Sequence, residues 1–323
     1  MVLPAHMGVR RHADLVETMV RESASATRSI VAASWRRSMI YHGLNPASPR
    51  RTARVEAREL GRARARNGEL LEVAAPTLRR LFATAGDGGC CVVLTDADGL
   101  ILQTNANAGD ERTFSEWGLS AGAVWSEATE GTNGIGTCVA EKRPVVIYQN
   151  QHFSEQNIAM SCMGAPIFDH KGEMAAVLDV SSCRRDLSRS FAQVLGALVT
   201  ESARAVESDL FRAAYRNERI IVADGHGMAG ASLLAVDDDD LVVGATRQAR
   251  RALDISEEKL RQTPPLRDYL RGAESSSGKT RAERSEIVRA LRHSRGNVAA
   301  AARDLGISRA TMYRRIQRHG IEV

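Results

Sequence analysis

The chain has 323 residues, 43% apolar and 26% charged; it suits two or three soluble domains, and no stretch approaches the roughly 20 apolar residues of a membrane helix. Its start, MVLPAHMGVRRHADLVE, lacks the apolar centre of a secretory signal, and its five cysteines (Cys90, Cys91, Cys138, Cys162, Cys183) form no CxxC pair. A zinc module and a disulfide framework are therefore disfavoured, and reduced thiols in a cytoplasmic protein are expected. The net charge of +5 divides into +8 over residues 1–66 (13 Arg against 5 acids), −9 over 67–280, and +6 over 281–323 (10 Arg against 4 acids).

Residues 1–66 read as an Arg-rich helical segment. WRRSMIYHGL (35–44) alternates Arg with apolar residues at helical spacing, and 48–67 is rich in Arg but almost free of aromatics. A solvated amphipathic helix is the expectation there, with contact to DNA as the alternative.

Residues 67–210 read as one α+β domain. CCVVLTDADGLILQTN (90–105) predicts a hairpin turning at Asp96–Gly99, PVVIY (144–148) a strand, and APIFDHKGEMAAVLDVSS (165–182) a second hairpin turning at Asp169–Gly172. The Gly-rich EGTNGIGT (130–137) is no dinucleotide fingerprint, since GxGxxG is absent; it suits a helix start. A long amphipathic helix is expected over 186–219, with Phe191, Leu195, Leu198 and Val199 on its apolar face. This order implies an antiparallel sheet with helices against it.

In 217–270, strand, acidic turn, strand and short helix follow one another, with Ala249, Leu253 and Ile255 turned inward and Asp237–Asp240 as a solvated turn. Residues 271–280 then contain AESSSGKT (273–280), which has the letters of a phosphate loop. Such a loop must follow a buried strand and open a helix in a parallel sheet. LRDYLRG (266–272) is no apolar strand, and the chain beyond Thr280 holds no room for the rest of an ATP site. A flexible serine-rich linker is expected instead.

Residues 281–323 predict three helices. Ile287, Val288 and Leu291 give the first an apolar face, and Gly296-Asn297 interrupts it. Val298, Ala301, Ala302 and Leu305 form the stripe of the second, and Gly306 ends it in a left-handed turn that only Gly takes without penalty. Ser308 caps the third, in which Met312 and Ile316 face inward while Arg309, Thr311, Tyr313, Arg314 and Arg315 lie on or beside the outer face. Two short helices joined by a tight Gly turn make a helix-turn-helix. Arg can bond guanine in two places, and the surrounding positive charge attracts phosphates.

GNVAAAARDLGISRATMYRRIQRHGI (296–321) resembles the DNA-binding domain of the Fis family. That resemblance implies a dimer on double-stranded DNA, with Asn297, Ser308, Arg309, Thr311, Tyr313, Arg314 and Arg315 as contact candidates. WSEATEGTNGIGTCVAEKRPVVIYQNQHF (125–153), CMGAPIFDHKGEMAAVLDVSS (162–182) and SWRRSMIYHGLNP (34–46) resemble the GAF sensor region of acetoin-catabolism-regulator-type activators, without their central AAA+ ATPase domain. Residues 217–270 are similar to the opening of a PAS domain, truncated.

The GAF resemblance implies a small-molecule or partner site for which Trp125, Asn133, Cys138, His152, Phe153 and Cys162 are candidates. Each also has a plain structural reading: Trp125 and Phe153 as core, the cysteines as inert thiols, Asn133 as a backbone cap, His152 without a metal partner. No cofactor and no metal are expected. The whole reads as a signal-responsive, sequence-specific transcriptional regulator with RNA polymerase or another regulator as a further partner. Two alternatives stand beside it: a GAF-fold thiol enzyme acting on free methionine sulfoxide through Cys90, Cys91 or Cys138, and a scaffold for another regulator.

Overall fold

The computed structural model describes residues 12–21, 29–49, 51–223, 231–269 and 276–321. The first eleven residues of the Arg-rich segment and the opening of the 271–280 run lie outside the described residues. The chain forms two compact units, Met1–Phe168 with Met174–Glu207, and Asp169–Glu173 with Ser208–Val323.

In the first unit, α1 (His12–Arg21), α2 (Ile30–Arg36), α3 (Ala57–Arg66) and α4 (Gly68–Ala85) precede the hairpin of β1 (Cys90–Thr95) and β2 (Ile101–Asn105). Three short helices follow, α5 (Glu111–Glu116), α6 (Glu127–Glu130) and α7 (Gly134–Glu141), then β3 (Val145–Tyr148). The hairpin of β4 (Ser161–Phe168) and β5 (Met174–Ser182) leads into α8 (Arg189–Ala214). The sheet order is β2-β1-β5-β4-β3, with every neighbouring pair antiparallel. The expected α+β sheet is present, and β1 paired with β5 joins the two hairpins.

Every residue of β1 and β4 is buried, so both faces of the sheet are covered at these strands. That explains why their sequences read as continuous apolar runs rather than alternating ones. Both hairpin turns are built alike. Asp96 Oδ1 accepts from the backbone N–H groups of Asp98 and Leu100 at 3.0 and 2.9 Å. Asp169 Oδ1 accepts from those of Lys171 and Glu173, both at 2.9 Å. A short carboxylate thus satisfies the turn's own donors.

The Gly-rich stretch starts α7 as expected. Gly136 is needed for closeness: a Cβ there would stand 2.5 Å from the backbone nitrogen of Glu127, so the α6–α7 corner admits no side chain. On α8 the buried stripe is Ala192, Leu195, Val199, Ala203, Val206 and Leu210. Phe191, expected inside, is 46% exposed; the stripe follows the steps of three and four that begin at Ala192, not the residue beside it.

The Arg-rich segment is not a separate body. Its described part belongs to the first unit, with Trp35 buried and Arg54 bridged to Ala123. Within α3 only Ala63 is buried, in keeping with a solvated helix.

In the second unit, β6 (Arg219–Val222), β7 (Leu233–Val236) and β8 (Val242–Ala245) form a three-stranded antiparallel sheet in that order, followed by α9 (Arg247–Ala252) and α10 (Glu257–Arg261). Ala249 and Ile255 are buried against Leu234, Val236 and Val242, and Leu253 packs on them. The helix expected to reach residue 219 stops at Ala214, because Arg219–Val222 pairs with β7 instead.

The last three helices are α11 (Ser276–His293), α12 (Val298–Asp304) and α13 (Arg309–Arg318). Residues 276–280, expected within a flexible linker, form the first turns of α11. Lys279 and Thr280 therefore stand in a helix rather than in a loop. The residues described before the run form a 3-10 turn, Leu266–Asp268, and not a strand.

Candidate nucleic-acid interface and buried polar cluster

Ile287, Leu291, Val298, Ala301, Ala302, Met312 and Ile316 close one small core, with Leu305 and Ile307 against it. These are the inward residues expected from spacing. The face of Ile287 and Leu291 is thereby core; Val288 is buried as well.

The turn between α12 and α13 is a Schellman motif. Ile307 N–H donates to Ala302 O at 2.9 Å and Gly306 N–H to Arg303 O at 3.1 Å, with Gly306 at φ +62°. The same pattern ends α11, where Arg295 takes φ +49° and Gly296 N–H donates to Leu291 O at 2.9 Å. Asn297 Oδ1 then accepts from Ala299 and Ala300 N–H, each at 3.1 Å, and caps α12. Ser308 Oγ accepts from Thr311 N–H at 3.1 Å and caps α13. The oxygens of two candidate contact residues are therefore committed to holding helix starts.

Arg309, Tyr313 and Arg314 are exposed on α13. The Arg309 guanidinium lies 5.5 Å from the centroid of the Tyr313 ring, a cation–π arrangement that extends it along the helix surface. Arg315 differs from the expectation. Its Nε is 3.1 Å from Glu283 Oε1 on α11, because at i+3 from Met312 it leans toward the core side. Thr311 is half-buried beside the Ser308 hydroxyl, 2.9 Å away.

The acidic run expected as a solvated turn is engaged. Asp237 Oδ1 accepts from Asp239 and Leu241 N–H at 3.0 and 2.9 Å, the same turn design as in the first unit. Its other oxygen takes Arg292 Nη1 at 2.8 Å, Arg284 Nε reaches Asp239 Oδ1 at 2.8 Å, and Asp240 pairs with Arg219. Ser285 Oγ donates to the Asp239 carbonyl. Hydrophobic spacing carries no sign of these charge contacts between residues about fifty apart. Changing Asp237 and Asp239 together to Asn keeps the turn's acceptors and removes both charges. The double variant is expected to raise hydrogen exchange along α11 by an opening free energy of about 1 kcal/mol, as befits partly exposed pairs; unchanged exchange would show the contacts to be incidental.

The six candidates for a small-molecule site are all buried, and none lines either of the two surface cavities described below. Trp125 is core, its Nε1 donating to Gly118 O at 2.9 Å. Cys138 packs in the same core. Phe153 joins Val16, Val20, Trp35 and Leu44. Asn133 caps α7, accepting from Gly136 N–H at 2.7 Å and donating to Gly131 O at 2.8 Å.

His152 and Cys162 meet in a buried polar chain. Nδ1 of His152 lies 2.9 Å from Gln149 O, so it carries the proton, and the bare Nε2 lies 3.3 Å from Cys162 Sγ. Ser181 Oγ is 3.0 Å from that sulfur and donates to Asp179 Oδ2 at 2.6 Å. Asp179 is fully buried and its Oδ1 has no partner. Burial pushes the Asp179 carboxyl up to about 7 and the His152 imidazole down to about 4. It also raises Cys90, Cys91, Cys138 and Cys162 above the usual thiol range. These sulfurs are held as thiols, opposite to what a thiolate nucleophile needs. Among the described residues no cluster of three or more His, Cys, Asp or Glu could hold a metal ion, and no helix is long and apolar enough to cross a membrane.

Spacing did not reveal the contact between α2 and the α6–α7 corner. Arg37 Nε and Nη2 donate to Glu127 Oε2 and Oε1 at 2.7 and 2.9 Å, and Arg37 Nη1 lies 2.8 Å from Glu141. Ser34 Oγ donates to Glu127 Oε1 at 2.5 Å and lies 2.6 Å from Thr132 Oγ1. The Ser and the second Arg of SWRR and the acid of WSEATEG are complementary halves of one junction.

Comparison with known proteins agrees with this division. Residues 9–205 match the family described as MimR, N-terminal domain, and residues 280–319 match the Fis family of bacterial regulatory proteins. Between them lie the three-stranded sheet and its short helices rather than an ATPase domain. The acetoin catabolism regulatory protein of Cupriavidus necator is 27% identical over 230 residues, 70% of this chain and 34% of that protein. The propane 2-monooxygenase operon transcriptional activator MimR of Mycolicibacterium smegmatis is 30% identical over 195 residues, 58% of this chain and 32% of that one. The chain thus spans about a third of the length of these curated relatives. The E. coli DhaR(N) in its crystal structure with DhaL superposes with a TM-score of 0.52 at 16% identity, covering 70% of this chain and 77% of that one, and shares the fold. With its antiparallel sheet unit and its capped terminal helix-turn-helix, the chain belongs to the family defined by the MimR N-terminal domain and carries a Fis-type terminal motif.

Proposed function

We propose that this protein is a signal-responsive, sequence-specific DNA-binding regulator of transcription, whose first unit is a GAF-type receiver and whose 217–270 sheet is a truncated PAS-like module. The observation that carries this reading is α13: a helix capped by Ser308 after the Schellman turn that ends α12, whose exposed face holds Arg309, Tyr313 and Arg314. Arg314 and Arg309 read base edges or phosphates in the major groove, and the caps at Asn297 and Ser308 hold the starts of α12 and α13. The relatives named above control acetoin catabolism and a propane monooxygenase operon, and a catabolic operon is accordingly the expected target.

A homodimer fits this role, since two recognition helices about 34 Å apart read adjacent half-sites. The exposed Phe191 and Val194 on α8, the latter 62% exposed, offer an apolar surface for pairing. RNA polymerase or another regulator is the downstream partner, and a small-molecule effector the signal. Gel-shift titration on promoter fragments tests the reading. Arg309→Ala and Arg314→Ala are each expected to weaken specific binding about 10-fold, within the range of about 1–3 kcal/mol for a base contact. Unchanged binding in both variants would remove the assignment of α13.

A further inference from the structure

The six buried candidates leave open where the first unit receives a ligand. One surface cavity of about 470 Å³ has Arg51, Arg54, Glu116, Trp117 and Asn157 on its wall. Its size falls within the usual range for small-molecule sites. Its rim is fixed: Val124 N–H donates to Ala53 O and Val55 N–H to Gly122 O, both at 2.8 Å, which ties the 51–55 stretch across the α5 corner.

Three observations give the cavity a chemistry. Asn157 is 3% exposed, stands on the wall, and its Nδ2 has no hydrogen-bond partner. A buried amide without an acceptor costs about 1–3 kcal/mol, so it is a donor in want of a ligand atom. The second is charge. Among the described residues no carboxylate pairs with Arg51 or Arg54; Arg54 is held by Ser120 Oγ and Ala121 O, each at 2.7 Å, which fixes its guanidinium at the rim. The one acid on the wall, Glu116, is matched by Arg112 at 2.8 Å. The cavity therefore carries net positive charge. The third is Trp117, half-buried, which adds an aromatic wall. The larger cavity of about 710 Å³ beside β3 and α8 has no such set, its Arg204 being paired with Glu201 at 2.5 Å.

We infer that this cavity is the receiving site for a small organic carboxylate, its anionic head between Arg51, Arg54 and Asn157 and its apolar body against Trp117. The assignment deepens the receiver role proposed above and takes its biological meaning from it, but occupancy is measurable on its own. The sequence concealed this site because its donors come from residues 51–54 and 157, about a hundred positions apart.

Benzoate, benzamide and inorganic phosphate serve as probes of the full chain, read by calorimetry and tryptophan fluorescence. Benzoate is expected to bind and to quench fluorescence. Benzamide, which has the ring without the charge, and phosphate, which has charge without a ring, are each expected to bind at least 10-fold more weakly. Arg51 is exposed, so Arg51→Ala folds; it should weaken benzoate about 10-fold. Trp117→Phe should abolish the quenching and retain calorimetric binding. No benzoate binding, equal binding of benzamide or phosphate, or indifference to Arg51→Ala would overturn the inference. DNA affinity measured in the same preparations reports separately on the regulator reading, so the two can fail independently.

Discussion

Replacing Arg37 with Ala is expected to lower the stability of the first unit by about 3 kcal/mol, the lower end of the cost of stripping a buried charge of its partner. Glu127 is the reason. Its side chain is 4% exposed, and both oxygens take the Arg37 fork, one of them also the Ser34 hydroxyl. Without Arg37 the carboxylate stays buried against Ser34 alone. The Arg37 side chain is itself 34% exposed, so water can enter where it stood, which is why the lower end applies. For a unit of this size the melting temperature should fall on the order of 10 °C.

The bidentate geometry adds a second expectation. Arg37→Lys keeps the charge but offers a single point donor, so it should recover only part of the loss. Arg37→Ala combined with Glu127→Gln removes the orphaned charge and should be more stable than Arg37→Ala alone. Thermal melts of the four proteins decide this. A double variant no better than the single would mean that the junction acts through packing and not through charge. The junction also joins α2 to the residues that start α6 and α7, so the weakened variants should bind any receiver ligand less well.

What the sequence revealed and what it concealed divide along the range of the contacts. The hairpins at Asp96–Gly99 and Asp169–Gly172 and the three terminal helices were legible because turn chemistry, caps and spacing act within a few residues. Ser308 was readable as a cap, and Met312 and Ile316 as core, on that ground alone. Arg315 was not, because its partner Glu283 stands on another helix. The acidic run at 237–240 looked solvated because its arginines lie about fifty positions on, and β6 was hidden because Arg219–Val222 is a half-exposed edge without alternation. His152, Cys162 and Asn133 were visible as unusual residues. Their shared burial, and the part played by Asp179, depends on how β4, β5 and α7 close together, which no local pattern encodes.

Changing Asp179 to Asn is expected to stabilise the protein above neutral pH by up to about 4 kcal/mol. The folded-state carboxyl is pushed up to about 7 by burial, against 3.8 for the free group, and the hydrogen bond from Ser181 only partly offsets that. Each unit of displacement corresponds to about 1.4 kcal/mol. Below about pH 4 the carboxyl is protonated in both folded and unfolded chains and costs nothing. Between 4 and 7 the unfolded chain releases the proton while the folded chain keeps it, so stability falls as pH rises. Above 7 both are ionised and the full penalty stands, because Oδ1 has no partner and Gly134 crowds it. Asn has the same shape and never ionises. Other groups titrate over this range, so the informative quantity is the difference between parent and variant, taken from urea unfolding at pH 4.5 and pH 8. That difference should grow by about 3 kcal/mol from the lower pH to the higher, and any constant cost of the new amide cancels. An equal difference at both would mean that Asp179 ionises freely in the folded chain, through water reaching the seam between β5 and α7.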